Sequence, residues 1–183
     1  MEFDKSLIEK LKKNDRKAQE AFYRFFAPKM FGVCLRFSAD SDDAEDIMQD
    51  GFIRVFRYIK DYRGDGSFDG WVRRTIVNTA INHYKRRIKR SFTKPIEHAG
   101  LAAGFNANII EQMTANEILD VIRELPDGYR TVFNLNIIEG YTHREIGEML
   151  GISENTSKSQ LSRARGALQK KLEKIKRKEN IGE

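Results

Sequence analysis

Residues 141–172 constrain the fold more than any other stretch, because they carry start and stop signals for two consecutive helices. Thr142 and Glu145 have the spacing of a capping box, in which the threonine hydroxyl accepts the Glu145 N–H and the carboxylate accepts the Thr142 N–H. Gly151 stands where a helix ends in a left-handed residue, and Ser153 is suited to cap the next helix. The pattern predicts a helix-turn-helix.

The second helix of this pair has one apolar and one polar face. Its apolar positions recur at intervals of three and four residues: Leu161, Ala164, Leu168 and Leu172. At about 100° per residue, the opposite face carries Asn155, Ser159, Ser162 and Arg163, with Lys158 on its flank. A polar, basic helix face of this kind fits the major groove of duplex DNA.

A helical hairpin with a solvated outer face is the alternative interpretation of the same stretch. Between residues 158 and 178, however, nine basic residues stand against a single acid, Glu173. Solvated faces mix the two signs, so this excess favours a polyanionic partner. The net charge of the whole chain, +6, suits nucleic acid or an anionic membrane.

The remaining composition limits compartment and cofactor. No apolar run is long enough to span a membrane, and residues 1–15 lack the order of a signal peptide. The single cysteine, Cys34, cannot form an internal disulfide, which favours a reducing cytoplasm. His83, His98 and His143 form no metal-ligand pattern. We therefore expect a cytoplasmic protein without a metal or other cofactor.

No stretch alternates with a period of two, so the whole fold is predicted to be all-α. Within residues 18–37, Pro28 is expected to open a new helix segment. Residues 91–112 lose periodicity and contain turn formers, which indicates a flexible linker. The predicted organisation is a helical domain over 1–90, the linker, a second helical domain with the helix-turn-helix over 113–177, and a tail over 178–183.

A predicted helix that starts near Asp43 combines acidic and apolar residues on its outer face. The expected core positions are Ala44, Met48, Gly51, Phe52, Val55 and Ile59, and the acids of the first turn offset the helix dipole. The far side holds Asp46, Gln49, Asp50, Ile53 and Phe56. Such a mixture suggests a protein partner, with packing inside the domain as the alternative.

A loop over residues 62–67 precedes a long predicted helix over residues 68–90. One side of this helix carries an aromatic ring, two amides and two cations: Trp71, Arg74, Asn78, Asn82 and Lys85. Single-stranded nucleic acid needs this combination, because rings stack on bases, amides bind base edges and cations bind phosphate. Trp71 could equally belong to the core.

In this order, the parts resemble the extracytoplasmic-function (ECF) sigma factors of bacterial RNA polymerase. DAEDIMQDGFIRVF (43–56) resembles the helix that binds core polymerase, and YRGDGSFDGWVRRTIVNTAINHYKRR (62–87) resembles the segment that binds the −10 element. LPDGYRTVFNL (125–135) and YTHREIGEMLGISENTSKSQLSRARGAL (141–168) resemble the segment that binds the −35 element.

The resemblance implies roles for individual residues. Asp46, Gln49, Asp50 and Phe56, with Ile53 beside them, would contact core polymerase. Asn78 and the loop residues Arg63, Gly64, Asp65, Ser67 and Phe68 would hold an unpaired −10 base, next to Trp71, Arg74, Asn82 and Lys85. The −35 element would be bound by Asn155, Thr156, Lys158, Ser159, Ser162, Arg163 and Arg165.

The implied function is promoter recognition and melting together with core polymerase, without catalysis by the chain itself. The implied partners are core polymerase, promoter DNA and an anti-sigma factor. Ser157 and Gln160 depart from the family's usual valine and arginine, which affects the expected −35 preference. Two alternatives are a duplex-only helix-turn-helix regulator and a metal-dependent nuclease that uses the acids between Asp42 and Asp50.

Overall fold

The computed structural model describes residues 4–90 and 115–179, with side chains at 4–90 and 119–175. All regular structure within these ranges is helical, which confirms the all-α prediction. The chain divides into two compact units, Met1–His83 and Tyr84–Glu183. The predicted linker at 91–112 lies outside the described residues. Residues 178 and 179 of the predicted tail continue the last helix, and the rest of the tail is outside the described range.

The first unit contains three complete helices and the first sixteen residues of a fourth, whose last seven residues belong to the second unit. The helices are α1 (Lys5–Lys12), α2 (Arg16–Phe37), α3 (Ser41–Tyr58) and α4 (Phe68–Arg90), with a 3-10 turn at Ile59–Asp61 after α3. Aspartates start the first three helices: Asp4, Asp15 and Asp40 each accept the backbone N–H three residues onward, at 2.8 to 2.9 Å. Each bond satisfies a donor that has no partner inside its helix.

Pro28 does not open a new segment, because α2 continues through it from Arg16 to Phe37. Proline inside a helix removes a backbone hydrogen bond and costs about 3 kcal/mol. The neighbouring Phe26 and Met30 are both buried. Burial of such side chains contributes about 1.5–3 kcal/mol each, which offsets the cost of the proline and keeps the helix in one piece.

Aromatic rings hold α2, α3 and α4 together. Phe22 is fully buried, and the centroid of its ring lies 4.7 Å from that of Phe26, 5.7 Å from Phe52 and 6.0 Å from Phe68. The contact with Phe52 is edge-on, a favoured geometry because it brings a ring's positive edge to the negative face of another. This cluster fixes the start of α4, and with it the loop that precedes α4.

The second unit contains the remaining helices. They are α5 (Ala115–Arg123), α6 (Asp127–Phe133), a π-helix (Asn134–Ile138), α7 (His143–Leu150) and α8 (Glu154–Glu179). The four leucine and alanine positions predicted for the inner face of α8 are all buried: Leu161, Ala164, Leu168 and Leu172. The predicted apolar face of α8 is confirmed.

A buried arginine joins α5 to α6. Arg130 is almost completely buried and donates to the Asp127 carboxylate and to the Arg123 carbonyl, both at 2.6 Å. A guanidinium in this position needs such partners, because a buried charge without them is strongly unfavourable. The bond to Arg123 connects α6 to the last turn of α5, and the bond to Asp127 holds the guanidinium against the first turn of α6.

Candidate polymerase and nucleic-acid interfaces

The residues predicted at the centre of the outward face of α3 are exposed, but the core side of the helix differs from the prediction at two positions. Asp46, Gln49 and Ile53 are exposed, and Ile53 keeps 55% of its surface accessible. Ile47, which was not assigned to the core, is fully buried, whereas the predicted core residue Met48 is only half-buried. Ile47 and Met48 follow the buried Ala44 by three and four residues, and both spacings fit the helical period, so spacing alone could not separate them.

Two members of the predicted polymerase-binding set also make contacts inside the first unit. Phe56 is half-buried, and the centroid of its ring lies 5.4 Å from that of Phe22, so it is not simply an outward residue. Asp50 is half-buried, and its carboxylate lies 2.8 Å from Nε2 of His83 on α4. The helix periodicity could not show these contacts, because it says nothing about which residue of another helix lies opposite.

Two glycines and a tyrosine shape the loop before α4. Gly64 and Gly66 have φ angles of 86° and 87°, a left-handed conformation that residues with a Cβ rarely adopt. The Tyr62 hydroxyl donates to the Gly66 carbonyl at 2.8 Å, and Ser67 Oγ accepts the Gly70 N–H at 3.0 Å. These bonds close the loop and cap α4. Arg63, Gly64, Asp65 and Ser67 are all exposed, as a nucleic-acid contact requires.

Phe68 differs from the prediction that it contacts DNA. Only 7% of its surface is exposed, and its ring packs against Tyr62 and stacks on Trp71, with centroids 5.2 and 6.1 Å apart. It is the first residue of α4, and its apolar ring gains more by joining the aromatic cluster than by facing water. Phe68 therefore supports the loop from the core side, and little of its surface is accessible to a base.

The polar face of α4 is accessible along most of its length. Arg74, Asn78 and Lys85 are exposed, while Trp71 and Asn82 are half-buried. The Trp71 ring contacts the cluster through Tyr62 and Phe68 and keeps part of its surface exposed, so it belongs in part to the core and remains accessible to a partner. The face combines a ring, amides and cations along one side of the helix.

A hydrogen-bonded turn precedes the helix-turn-helix. The π-helix at Asn134–Ile138 is followed by Gly140, whose φ is 77°. The Tyr141 N–H donates to the Leu135 carbonyl at 2.9 Å, and Asn136 Nδ2 donates to the Tyr141 carbonyl at 2.8 Å. The entry to α7 is thereby fixed by backbone and side-chain bonds together.

The predicted signals of the helix-turn-helix are all confirmed. Thr142 and Glu145 form the capping box, Gly151 is left-handed with φ 72°, and Ser153 Oγ accepts the Thr156 N–H at 3.0 Å. A Cβ at Gly147 would lie 2.8 Å from the Ile152 carbonyl oxygen. The small residue thus allows α7 to approach the turn closely.

The polar face of α8 is graded from exposed to half-buried. Asn155, Lys158 and Arg165 are exposed; Thr156, Ser159, Ser162 and Arg163 are half-buried. Lys158 pairs with Glu154 at 2.7 Å, a contact that lowers the pKa of Glu154 chiefly through the hydrogen bond. Binding to a phosphate would exchange this exposed pair for a new one, at small cost, because exposed pairs contribute little stability.

Neither Ser157 nor Gln160, the two departures from the resembled pattern, is fully exposed. Ser157 is completely buried, and its hydroxyl oxygen lies 2.9 Å from Nδ1 of His143. Gln160 is half-buried, with its side-chain amide near Gly128. Ser157 stands four residues before Leu161, so the helical spacing assigns it to the inner face of α8, but its partner on α7 could not be read from the sequence.

Comparison with known proteins agrees with this arrangement. The family model for sigma-70 region 2 matches residues 22–90, and that for sigma-70 region 4 matches residues 115–168. The ECF RNA polymerase sigma factor SigW of Bacillus subtilis is 31% identical over 180 residues, which cover 92% of this chain and 96% of that protein. The chain belongs to the ECF sigma factors.

Other relatives match this sigma factor over nearly its whole length. The RNA polymerase sigma-H factor of Pseudomonas aeruginosa is 28% identical over 188 residues, covering 96% of this chain and 97% of that protein. The solved sigma factor RpoE of Bartonella quintana, in complex with the anti-sigma factor NepR, has a TM-score of 0.50 at 19% identity. It covers 85% of this chain and 96% of its own, and the likeness is one of fold.

Two further properties of the described residues bear on other kinds of site. None of the helices in the described ranges combines the length and apolar character needed to cross a bilayer. Across the same ranges, no group of three or more His, Cys, Asp or Glu side chains is arranged to hold a metal ion.

Proposed function

We propose that this sigma factor binds core RNA polymerase through α3 and directs initiation by contacting two promoter elements. The exposed Asp46, Gln49 and Ile53 would form the centre of the polymerase contact. Aliphatic surface surrounded by acids suits a protein partner with apolar and basic residues. The chain would act in the cytoplasm, as part of the polymerase and without catalysis of its own.

The face of α4 and the loop before it would bind the melted −10 element. Asn78, with the exposed loop residues from Arg63 to Ser67, would hold an extruded base, and Arg74 and Lys85 would bind phosphates. Capture of unpaired bases offsets the few kcal/mol that unstacking costs, which favours melting at the promoter.

The face of α8 would bind the −35 element as intact duplex. Its short side chains near the N-terminus fit base edges, and Lys158 and Arg165 would bind phosphates. The observation that supports the proposal is that one chain carries two accessible polar faces of different composition: amides, cations and a half-buried ring on α4, and short polar and basic side chains on α8. A duplex-only regulator would need only the second face.

The direct test is run-off transcription on a library of bacterial genomic DNA fragments, with core polymerase alone and with this sigma factor added. We expect discrete products that appear only when both proteins are present. Absence of sigma-dependent products, together with duplex binding that does not require polymerase, would favour the duplex-only regulator instead.

We further propose an anti-sigma factor as a regulatory partner, in line with the sequence-based expectation. Such a partner would compete with core polymerase for this sigma factor. Affinity purification from the native host under non-inducing conditions should recover a protein that blocks run-off transcription. Recovery of core polymerase as the sole specific partner under inducing and non-inducing conditions would contradict this part.

A further inference from the structure

Ser157 places a hydroxyl in the interior of the second unit. Its exposure is 0%, and it lies on the inner face of α8, one helical step before Leu161. An apolar residue would be the ordinary choice at such a position, because burial of a hydroxyl costs free energy unless it is hydrogen-bonded. The structure therefore has to provide a partner for it.

His143 is that partner. Its Nδ1 lies 2.9 Å from Ser157 Oγ, and the proton lies on either atom according to the histidine tautomer. His143 is the first residue of α7, directly after the capping residue Thr142. The bond thus connects the start of α7 to the first turns of α8, in addition to the close approach at Gly147.

The bond lies directly beneath the face that would meet DNA. Thr156 and Lys158, the immediate neighbours of Ser157, belong to the predicted −35 set, and Lys158 is exposed. Apolar packing at Ser157 would be non-directional, whereas a hydrogen bond restrains both distance and angle. Restraint of this turn restrains the side chains that carry base contacts.

We propose that the hydrogen bond between His143 and Ser157 sets the pose of α8 against α7, and that His143 is a positioning residue for −35 recognition. This inference rests on the proposed function of α8. Loss of the bond should weaken discrimination between duplex sequences more than it weakens overall binding. Phosphate contacts provide most of the sequence-independent affinity and tolerate a small displacement of the helix.

Two substitutions at His143 separate the hydrogen bond from the rest of the side chain. His143→Asn places a polar atom directly beyond Cγ, at the position of Nδ1, whereas His143→Gln carries its polar atoms one bond farther out. A third variant, Ser157→Val, keeps the buried position filled and removes the hydroxyl. All three are made in the full-length chain and assembled with core polymerase.

The probe is a promoter fragment from the run-off assay with its −35 segment randomised. Sequencing of the bound fraction gives the ratio of preferred to random sequences. We expect His143→Gln and Ser157→Val to lower this ratio about tenfold, the equivalent of one lost base contact. His143→Asn should stay close to the wild-type ratio, and total binding at low salt should change little in all three.

The outcomes are distinguishable. A wild-type ratio in Ser157→Val, or equal ratios for His143→Asn and His143→Gln, would overturn the role of the bond. If His143→Gln fails to fold in a urea titration, the Ser157→Val variant decides alone. A wild-type protein that selects no −35 sequence would instead overturn the proposed function.

Discussion

The exposed Ile53 on α3 gives the sharpest prediction about polymerase binding. Ile53→Ala removes three carbons, which are together equivalent to about 2.4 kcal/mol on full burial at about 0.8 kcal/mol each. Because 55% of the surface of Ile53 is exposed before binding, about 1.3 kcal/mol of this depends on the partner. That amount corresponds to a loss of about tenfold in affinity for core polymerase.

The same change should affect the fold much less. The part of Ile53 that is already buried accounts for about 1 kcal/mol. Alanine, as the better helix former, recovers a few tenths of a kcal/mol of that loss. We therefore expect the free energy of unfolding, measured by urea titration, to fall by less than about 1 kcal/mol. Polymerase affinity would be measured by fluorescence anisotropy of the labelled sigma factor.

Tyr58→Ala provides the matched control, because Tyr58 lies on the same helix and is 46% exposed. It stands five residues after Ile53, about 140° around the helix axis, and therefore outside the proposed contact. We expect wild-type affinity for this variant. Unchanged binding by Ile53→Ala, or equal losses in both variants, would refute the assignment of the contact to this face.

Further predictions concern the same helix and the two cores. Asp46→Ala should leave the urea transition unchanged and lower the association rate with polymerase at low salt more than at high salt; equal effects at both would contradict a charge contact. Phe22→Ala should lower the free energy of unfolding by about 4 kcal/mol, and a change below about 1 would contradict the aromatic core. Arg130→Ala should destabilise the second unit by about 3 kcal/mol. This value is at the low end of the usual cost of breaking a buried ion pair, because the partner Asp127 is partly exposed. Burial raises the pKa of Cys34 from 9.0 to about 12. The contribution of the neutral thiol to the free energy of unfolding is therefore complete below pH 9.0 and is lost as pH rises toward 12. The free energies of unfolding from urea titrations at about pH 8 and about pH 10.5 should differ less in Cys34→Ala than in wild type.

Local signals in the sequence were sufficient for much of this fold. The capping box at Thr142, the left-handed Gly151 and the cap at Ser153 depend on residues within a few positions of one another, and all three are present. The inner stripe of α8 likewise follows from the helical period alone. Such features need no knowledge of which helices pack together.

Features that depend on distant residues were missed or misplaced. Phe68 was expected at the DNA surface, but contacts with rings on α2 and at Tyr62 draw it into the core. Pro28 was expected to divide α2, but burial of the residues around it keeps the helix continuous. The pair of Asp50 with His83 joins positions 33 residues apart, which periodicity cannot reveal. In each case tertiary packing decided against the local pattern.

The central claim, that the two units hold different forms of one promoter, is tested by footprinting two variants in complex with core polymerase. Permanganate reactivity of thymines reports melting at the −10 element, and DNase protection reports duplex contact at the −35 element. We expect Asn78→Ala to reduce permanganate reactivity and leave −35 protection intact. Arg163→Ala should weaken binding to the −35 element by about 1–3 kcal/mol, which lowers DNase protection there, whereas melting should persist on the complexes that form. Parallel loss of both signals in both variants would contradict the account.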